Sequence, residues 1–136
     1  MLRLSAALLL LYLPLVSAHS LTIQQPELQL DLSCDKPTQE LALKFTVPKV
    51  YAFSRDKSCL IFLNQKQVIA QLDGLASIGR FTATTNMDWL QRLLTSELDN
   101  ISLEAVSFRS GNSIESTLNL APIRSQLSEF AKQCQL

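Results

Sequence analysis

Apolar and polar residues along this chain change rhythm several times, and each rhythm predicts an element. Leu28, Leu30, Leu32 and Cys34 alternate with Gln29, Asp31 and Ser33, the period of two expected of a strand with one wet face. Asp35-Lys36-Pro37-Thr38 reads as a turn. Leu41, Leu43, Phe45 and Val47 resume the alternation, so the two runs predict an antiparallel hairpin. Pro48 ends the second run, and residues 48–57 follow no period. Residues 59–63 form an unbroken apolar run, consistent with a strand covered on both sides. Asn64-Gln65-Lys66 separates it from an apolar segment at 68–72, which predicts a second hairpin with Asp73-Gly74 as the closing turn. Residues 78–84 make a further strand, favoured by their threonines.

The period then lengthens. Met87, Leu90, Leu93, Leu94 and Leu98 recur at steps of three and four, with Trp89 on the flank. Asn86 or Thr85 suits the cap and Asp88 the positive helix end. The spacing predicts a helix over 86–98, stopped by Asp99-Asn100. Ile101, Leu103 and Ala105 alternate, and Val106 and Phe108 then shift the phase, which predicts a bulge or burial on two sides. Arg109-Ser110-Gly111-Asn112 is a hairpin turn, and Ile114, Ser116, Leu118 and Leu120 form the returning strand. Pro122 suits the first turn of a helix. Ile123, Leu127, Phe130, Ala131 and Cys134 mark one stripe along it. The predicted fold class is α+β: an antiparallel sheet of about six strands with two helices, one after the fifth strand and one at the C-terminus, packed on one face.

The start of the chain fits neither rhythm. Arg3 precedes an apolar run from Ala6 to Val16, and Val16-Ser17-Ala18 follows the small-x-small pattern. These are the parts of a cleaved secretory signal, and the run is too short to span a bilayer. The expected organisation is a signal over 1–18 and one exported domain over 19–136, in the periplasm or outside the cell. Those 118 residues can bury a substantial core without a metal. The 12 basic residues include Arg3 and the 12 acidic residues all follow the signal, so the processed chain carries a formal charge of −1. The sequence has no basic stripe for nucleic acid, no polybasic segment for a lipid surface, and no second long apolar run. No nucleic-acid partner and no stable membrane anchor after processing are therefore expected.

Cysteine usage fits export. Cys34, Cys59 and Cys134 are odd in number, so one disulfide and one spare thiol is the simplest expectation. Cys34 with Cys59 is the expected pair, because it would tie two early strands together. Cys134 is then free, although a cysteine so close to the end has its own claim to pin a terminus.

Catalytic chemistry finds few candidates. His19 is the only histidine, which leaves Ser-His-Asp and Cys-His arrangements without a well-placed base. A cut after Ala18 would make His19 the amino-terminal residue, able to chelate copper through its amine and imidazole. In this one residue the processed chain resembles the start of copper-dependent polysaccharide monooxygenases and periplasmic copper carriers. Those families complete the site with a second histidine, which is absent here. Asp31, Glu40, Glu104 and Glu115 are the carboxylates available for glycoside chemistry, and all four occupy polar strand positions that favour solvent. Gly74 and Gly79 belong to no phosphate-loop pattern. No cofactor is expected.

Binding is the stronger expectation. Tyr51, Phe53 and Arg55 stand close together in the aperiodic segment, and these residue types anchor interfaces. The alternative for Tyr51 and Phe53 is a place against the sheet. The C-terminal pattern, Ser116-Thr117-Leu118-Asn119-Leu120 followed by a helix through Phe130-Ala131, resembles the tail of small periplasmic invasion-associated (locus B type) proteins over about thirty residues. It departs from them in carrying Ala121-Pro122 in place of a glycine, and no function follows from the likeness. The functional expectation is a non-enzymatic accessory domain of the bacterial envelope that binds another protein. The alternatives are an inhibitor or immunity protein against a secreted hydrolase, and a copper binder using His19.

Overall fold

A computed structural model describes residues 18–35, 37–38, 40–49 and 54–135. Eight strands make one antiparallel sheet: β1 (Ala18–Gln25), β2 (Leu28–Asp35), β3 (Glu40–Thr46), β4 (Asp56–Asn64), β5 (Gln67–Ser77), β6 (Arg80–Thr85), β7 (Asn100–Ser107) and β8 (Ser113–Asn119). Helix α1 (Asp88–Thr95) follows β6, and α2 (Arg124–Gln135) closes the chain after a 3-10 turn over Ala121–Ile123. The strand order is β1-β2-β3-β6-β5-β4-β7-β8, and the sheet curls into a half-barrel.

Alternation decides which side chains fill the curl. Leu30 and Leu32 of β2, Leu41, Leu43 and Phe45 of β3, Phe81 of β6, Leu60 and Phe62 of β4, and Leu103 of β7 are all buried in one core. Their strand neighbours point to the opposite face, because side chains alternate along a strand. Helix α1 buries Trp89, Leu90 and Leu93 in this core, and α2 buries Leu127, Phe130, Ala131 and Cys134. The Trp89 ring stacks on Phe62 with centroids 5.4 Å apart. Its indole N–H is buried without a hydrogen-bond partner among the described residues.

The two ends of the sheet meet at one corner. The Gln25 side-chain amide donates to the Asn119 carbonyl at 2.9 Å, and its oxygen accepts from the Asn119 N–H at 2.9 Å. One side chain of β1 thus imitates a strand residue for β8, where the edge would otherwise present unpaired groups.

Several expectations need correction. The sheet has eight strands rather than about six, and α1 follows the sixth strand rather than the fifth. Strand β1 lies outside every predicted run and shows only Leu21 and Ile23 as apolar alternation, too short a signal to read. Asp73-Gly74 does not close the second hairpin: β5 runs on to Ser77, and the turn falls at Ile78-Gly79. Gly74 is there for space. A Cβ on it would lie 2.2 Å from the Thr82 carbonyl oxygen and 2.7 Å from the Phe81 ring, so the strand needs glycine where a neighbour approaches. Strand β7 carries no bulge, and its buried row runs Ile101, Leu103, Ala105, Ser107. The last inward residue is a serine, so the apolar pattern of the sequence does not carry the row to its end. The register shift lies instead at Phe62/Leu63 of β4.

The disulfide is also corrected. Cys34 pairs with Cys134, across 100 residues of sequence, and Cys59 is the free thiol. Cys34 and Cys59 lie on β2 and β4, which are separated by β3, β6 and β5. Cys34 faces the core, whereas Cys59 stands opposite Asp73 and Val106 on the other face. No bridge can join them through the sheet. The stripe of α2 brings Cys134 onto the end of β2 instead.

Candidate functional site

The outward face of β1, β2, β3 and β6 is polar by alternation and is covered by neither helix. Register aligns Thr22 with Asp31, Asp31 with Lys44, and Lys44 with Thr82 in one row across four strands. Ser20, Ser33, Ala42 and Thr84 form the next row. Small hydroxylated side chains leave this floor low, and a groove of about 570 Å³ lies over it, walled by Arg55, Asp73 and Leu75. Lys44 approaches Asp31 at 3.9 Å. Asp31 also accepts from the Thr22 hydroxyl at 2.7 Å and from the Gln29 amide at 3.1 Å. These contacts fix one carboxylate at the groove floor.

Of the residues expected to bind, Arg55 is exposed and lines this groove. Tyr51 and Phe53 lie outside the described residues. The β6–β5 pair lies between β3 and β4 in the sheet. Strand order, which no local pattern encodes, is what brings Arg55 beside Lys44 and Thr82. The parity of the outward positions was visible in the sequence, but it did not say which strands stand side by side.

Behind Arg55 sits a buried polar cluster. Asp56 is 6% exposed, accepts from the Ser107 hydroxyl at 3.2 Å and from the Ser54 hydroxyl at 3.1 Å, and faces the Arg109 guanidinium at 3.5 Å. The Ser58 hydroxyl donates to the Asp56 carbonyl. This cluster ties the start of β4 to the β7–β8 turn, where the Gly111 N–H donates to the Ser107 carbonyl. It satisfies a buried carboxylate, held between two serine hydroxyls and a guanidinium.

His19 lies on β1 opposite Cys34, half-buried at the disulfide. Among the described residues no group of three or more His, Cys, Asp or Glu stands close enough to hold a metal ion. The four carboxylates considered for glycoside chemistry are dispersed. Asp31 lies in the groove floor, Glu40 at the start of β3, and Glu104 and Glu115 opposite each other on β7 and β8. Cys59 is buried, and burial followed by the negative charges of Asp73 and Glu104 pushes its thiol pKa up. A thiol held protonated is a poor nucleophile. No helix among the described residues is long and apolar enough to cross a membrane. Comparisons with protein-family models, with curated proteins and with solved structures find no match to this chain.

Proposed function

We propose that this chain is an exported accessory domain that binds another protein through the outward face of its half-barrel. The observation that carries this reading is the groove of about 570 Å³ over β1, β2, β3 and β6, a polar face left open with Arg55 at its wall. The Cys34–Cys134 bond is compatible with an oxidising compartment. The leader-like start of the chain supports export in the same way. Arginine and aromatic side chains carry much of the energy at protein interfaces, and Tyr51 and Phe53 precede Arg55 by only a few residues.

Filling the groove tests the reading. Thr84→Trp places a large ring over the floor at an exposed position, and Lys66→Ala changes a distant turn. A partner crosslinked from envelope extract should be lost with Thr84→Trp and kept with Lys66→Ala, both variants retaining the parent melting temperature. Equal capture by both variants would overturn the reading. An inhibitor or immunity role is the second reading, favoured by the exposure of Arg55. It requires that replacing Tyr51, Phe53 and Arg55 by alanine abolishes inhibition of a secreted hydrolase without loss of stability.

A further inference from the structure

Arg55 has a second neighbourhood. Next to the groove, and sharing Arg55, Leu75 and Thr82 with it, lies a smaller pocket of about 150 Å³ that is also lined by Arg80, Ser77 and Ala76. Arg80 is brought there by the short β5–β6 ladder, where it pairs with Ser77, and Thr82 pairs with Leu75. Lys57 stands opposite Leu75 from the β4 side. Two cations from separate parts of the sequence, Arg55 ahead of β4 and Arg80 on β6, therefore line one concavity.

Neither arginine is neutralised among the described residues. All 12 acidic side chains of the chain lie among the described residues. The ion pairs they form join Asp31 to Lys44 and Asp56 to Arg109. No carboxylate of the described residues stands within ion-pair distance of Arg55, Lys57 or Arg80. Asp73, the nearest acid in the lining, walls the larger groove and not the small pocket. A chain with no net charge thus concentrates unpaired positive charge at one concave spot. The Ser77 and Thr82 hydroxyls there offer further donors.

Two guanidinium forks facing one small cavity suit a tetrahedral oxyanion, because each planar fork presents paired N–H donors to two oxygens at once. We infer that Arg55 and Arg80 form a binding site for a phosphate or sulfate ester, with Ser77 and Thr82 as supporting hydroxyl donors. The hydroxyl-lined groove that continues from the pocket leaves room for the remainder of such a ligand. This inference goes beyond the protein-binding reading and does not depend on it.

The test uses the purified full domain and small probes. Sodium phosphate and sodium sulfate are titrated at constant ionic strength while backbone amide shifts are recorded. Saturable shifts confined to residues 75–82 and to Arg55 are expected with both. Arg55→Ala and Arg80→Ala should each weaken binding by about tenfold or more, the loss typical of one charged hydrogen-bonding group. Because both side chains are exposed, the melting temperature should not change. Glucose 6-phosphate and glucose 6-sulfate then separate the two sources: the tighter one names the ester, and unmodified glucose should not bind. Absence of saturable shifts, shifts elsewhere on the molecule, or unchanged affinity in the Arg55→Ala/Arg80→Ala double variant would overturn the inference. Failure here leaves the Thr84→Trp result standing, and the converse also holds.

Discussion

Arg124 is the second residue past a proline, at the start of the last helix, yet its guanidinium serves the end of the first. It donates to the Leu94 carbonyl at 3.0 Å and to the Leu98 carbonyl. The last carbonyls of a helix have no partner within it, and α1 ends early, with Glu97 in a left-handed conformation at φ +56°. Arg124→Ala should lower the unfolding free energy by about 2 kcal/mol, the scale of hydrogen bonds from a charged group, as read by denaturant titration. Lysine at 124 should recover only part of the loss, because it lacks the fork that reaches two carbonyls. Cys59 gives a prediction with a pH sign. Its thiol pKa is raised in the fold by burial and by Asp73 and Glu104, so folding favours the protonated form. That contribution is intact below the ordinary thiol pKa of about 8.5 and is lost as pH rises through the higher folded value. Between those two values the parent protein should lose stability with rising pH faster than Cys59→Ala, by no more than about 1.4 kcal/mol per pH unit for one proton. Parallel curves for the two proteins would show that the thiol does not titrate differently on unfolding.

Among the elements, the seam between β1 and β8 rests on one side chain. Gln25→Ala removes both hydrogen bonds to Asn119 and should cost about 1–2 kcal/mol, with faster amide exchange at Asn119. Glutamate at 25 should do no better, since it sets a carboxylate against the Asn119 carbonyl. The same seam shows where sequence patterns stop. The β2–β3, β4–β5 and β7–β8 pairings were all legible, because each joins runs of clear alternation through a short turn. So was the stripe that runs from the 3-10 turn into α2, where Ile123, Leu127, Phe130, Ala131 and Cys134 are all buried. The insertion of β6 and β5 between β3 and β4 was not legible, because it depends on long-range pairing and leaves no local periodicity. Ser107 and Gly74 misled for a common reason. One is polar yet buried beside Asp56, the other a glycine kept for clearance under Phe81, and both roles exist only once the neighbouring strand is in place. Of the candidate site, Arg55 was named from its residue type. Arg80 was not, because nothing in its own segment points toward β4.

For the molecule as a whole, the Cys34–Cys134 bond is a covalent tie of long reach, joining the end of β2 to the last turn of α2 across 100 residues. Chain-entropy arguments give a loop of that length about 4–5 kcal/mol of stabilisation through restriction of the unfolded state. A domain of this size has only about 5–15 kcal/mol in total. The bond also anchors a helix that contacts β1, the strand on which the leader-like segment ends. Cleavage after Ala18 would remove one of the eight β1–β2 pairs, Ala18 with Asp35, and keep His19 opposite Cys34. The fold therefore tolerates the expected cut far better than it tolerates reduction. Two measurements follow on protein beginning at His19. Its melting temperature should match that of the longer chain, whereas Cys34→Ala/Cys134→Ala should melt many degrees lower and expose Phe130 and Leu127 to hydrophobic dye. If the reduced and oxidised forms melt together, α2 is held by packing alone, and the bond adds nothing that the core of Leu127, Phe130 and Ala131 does not already supply.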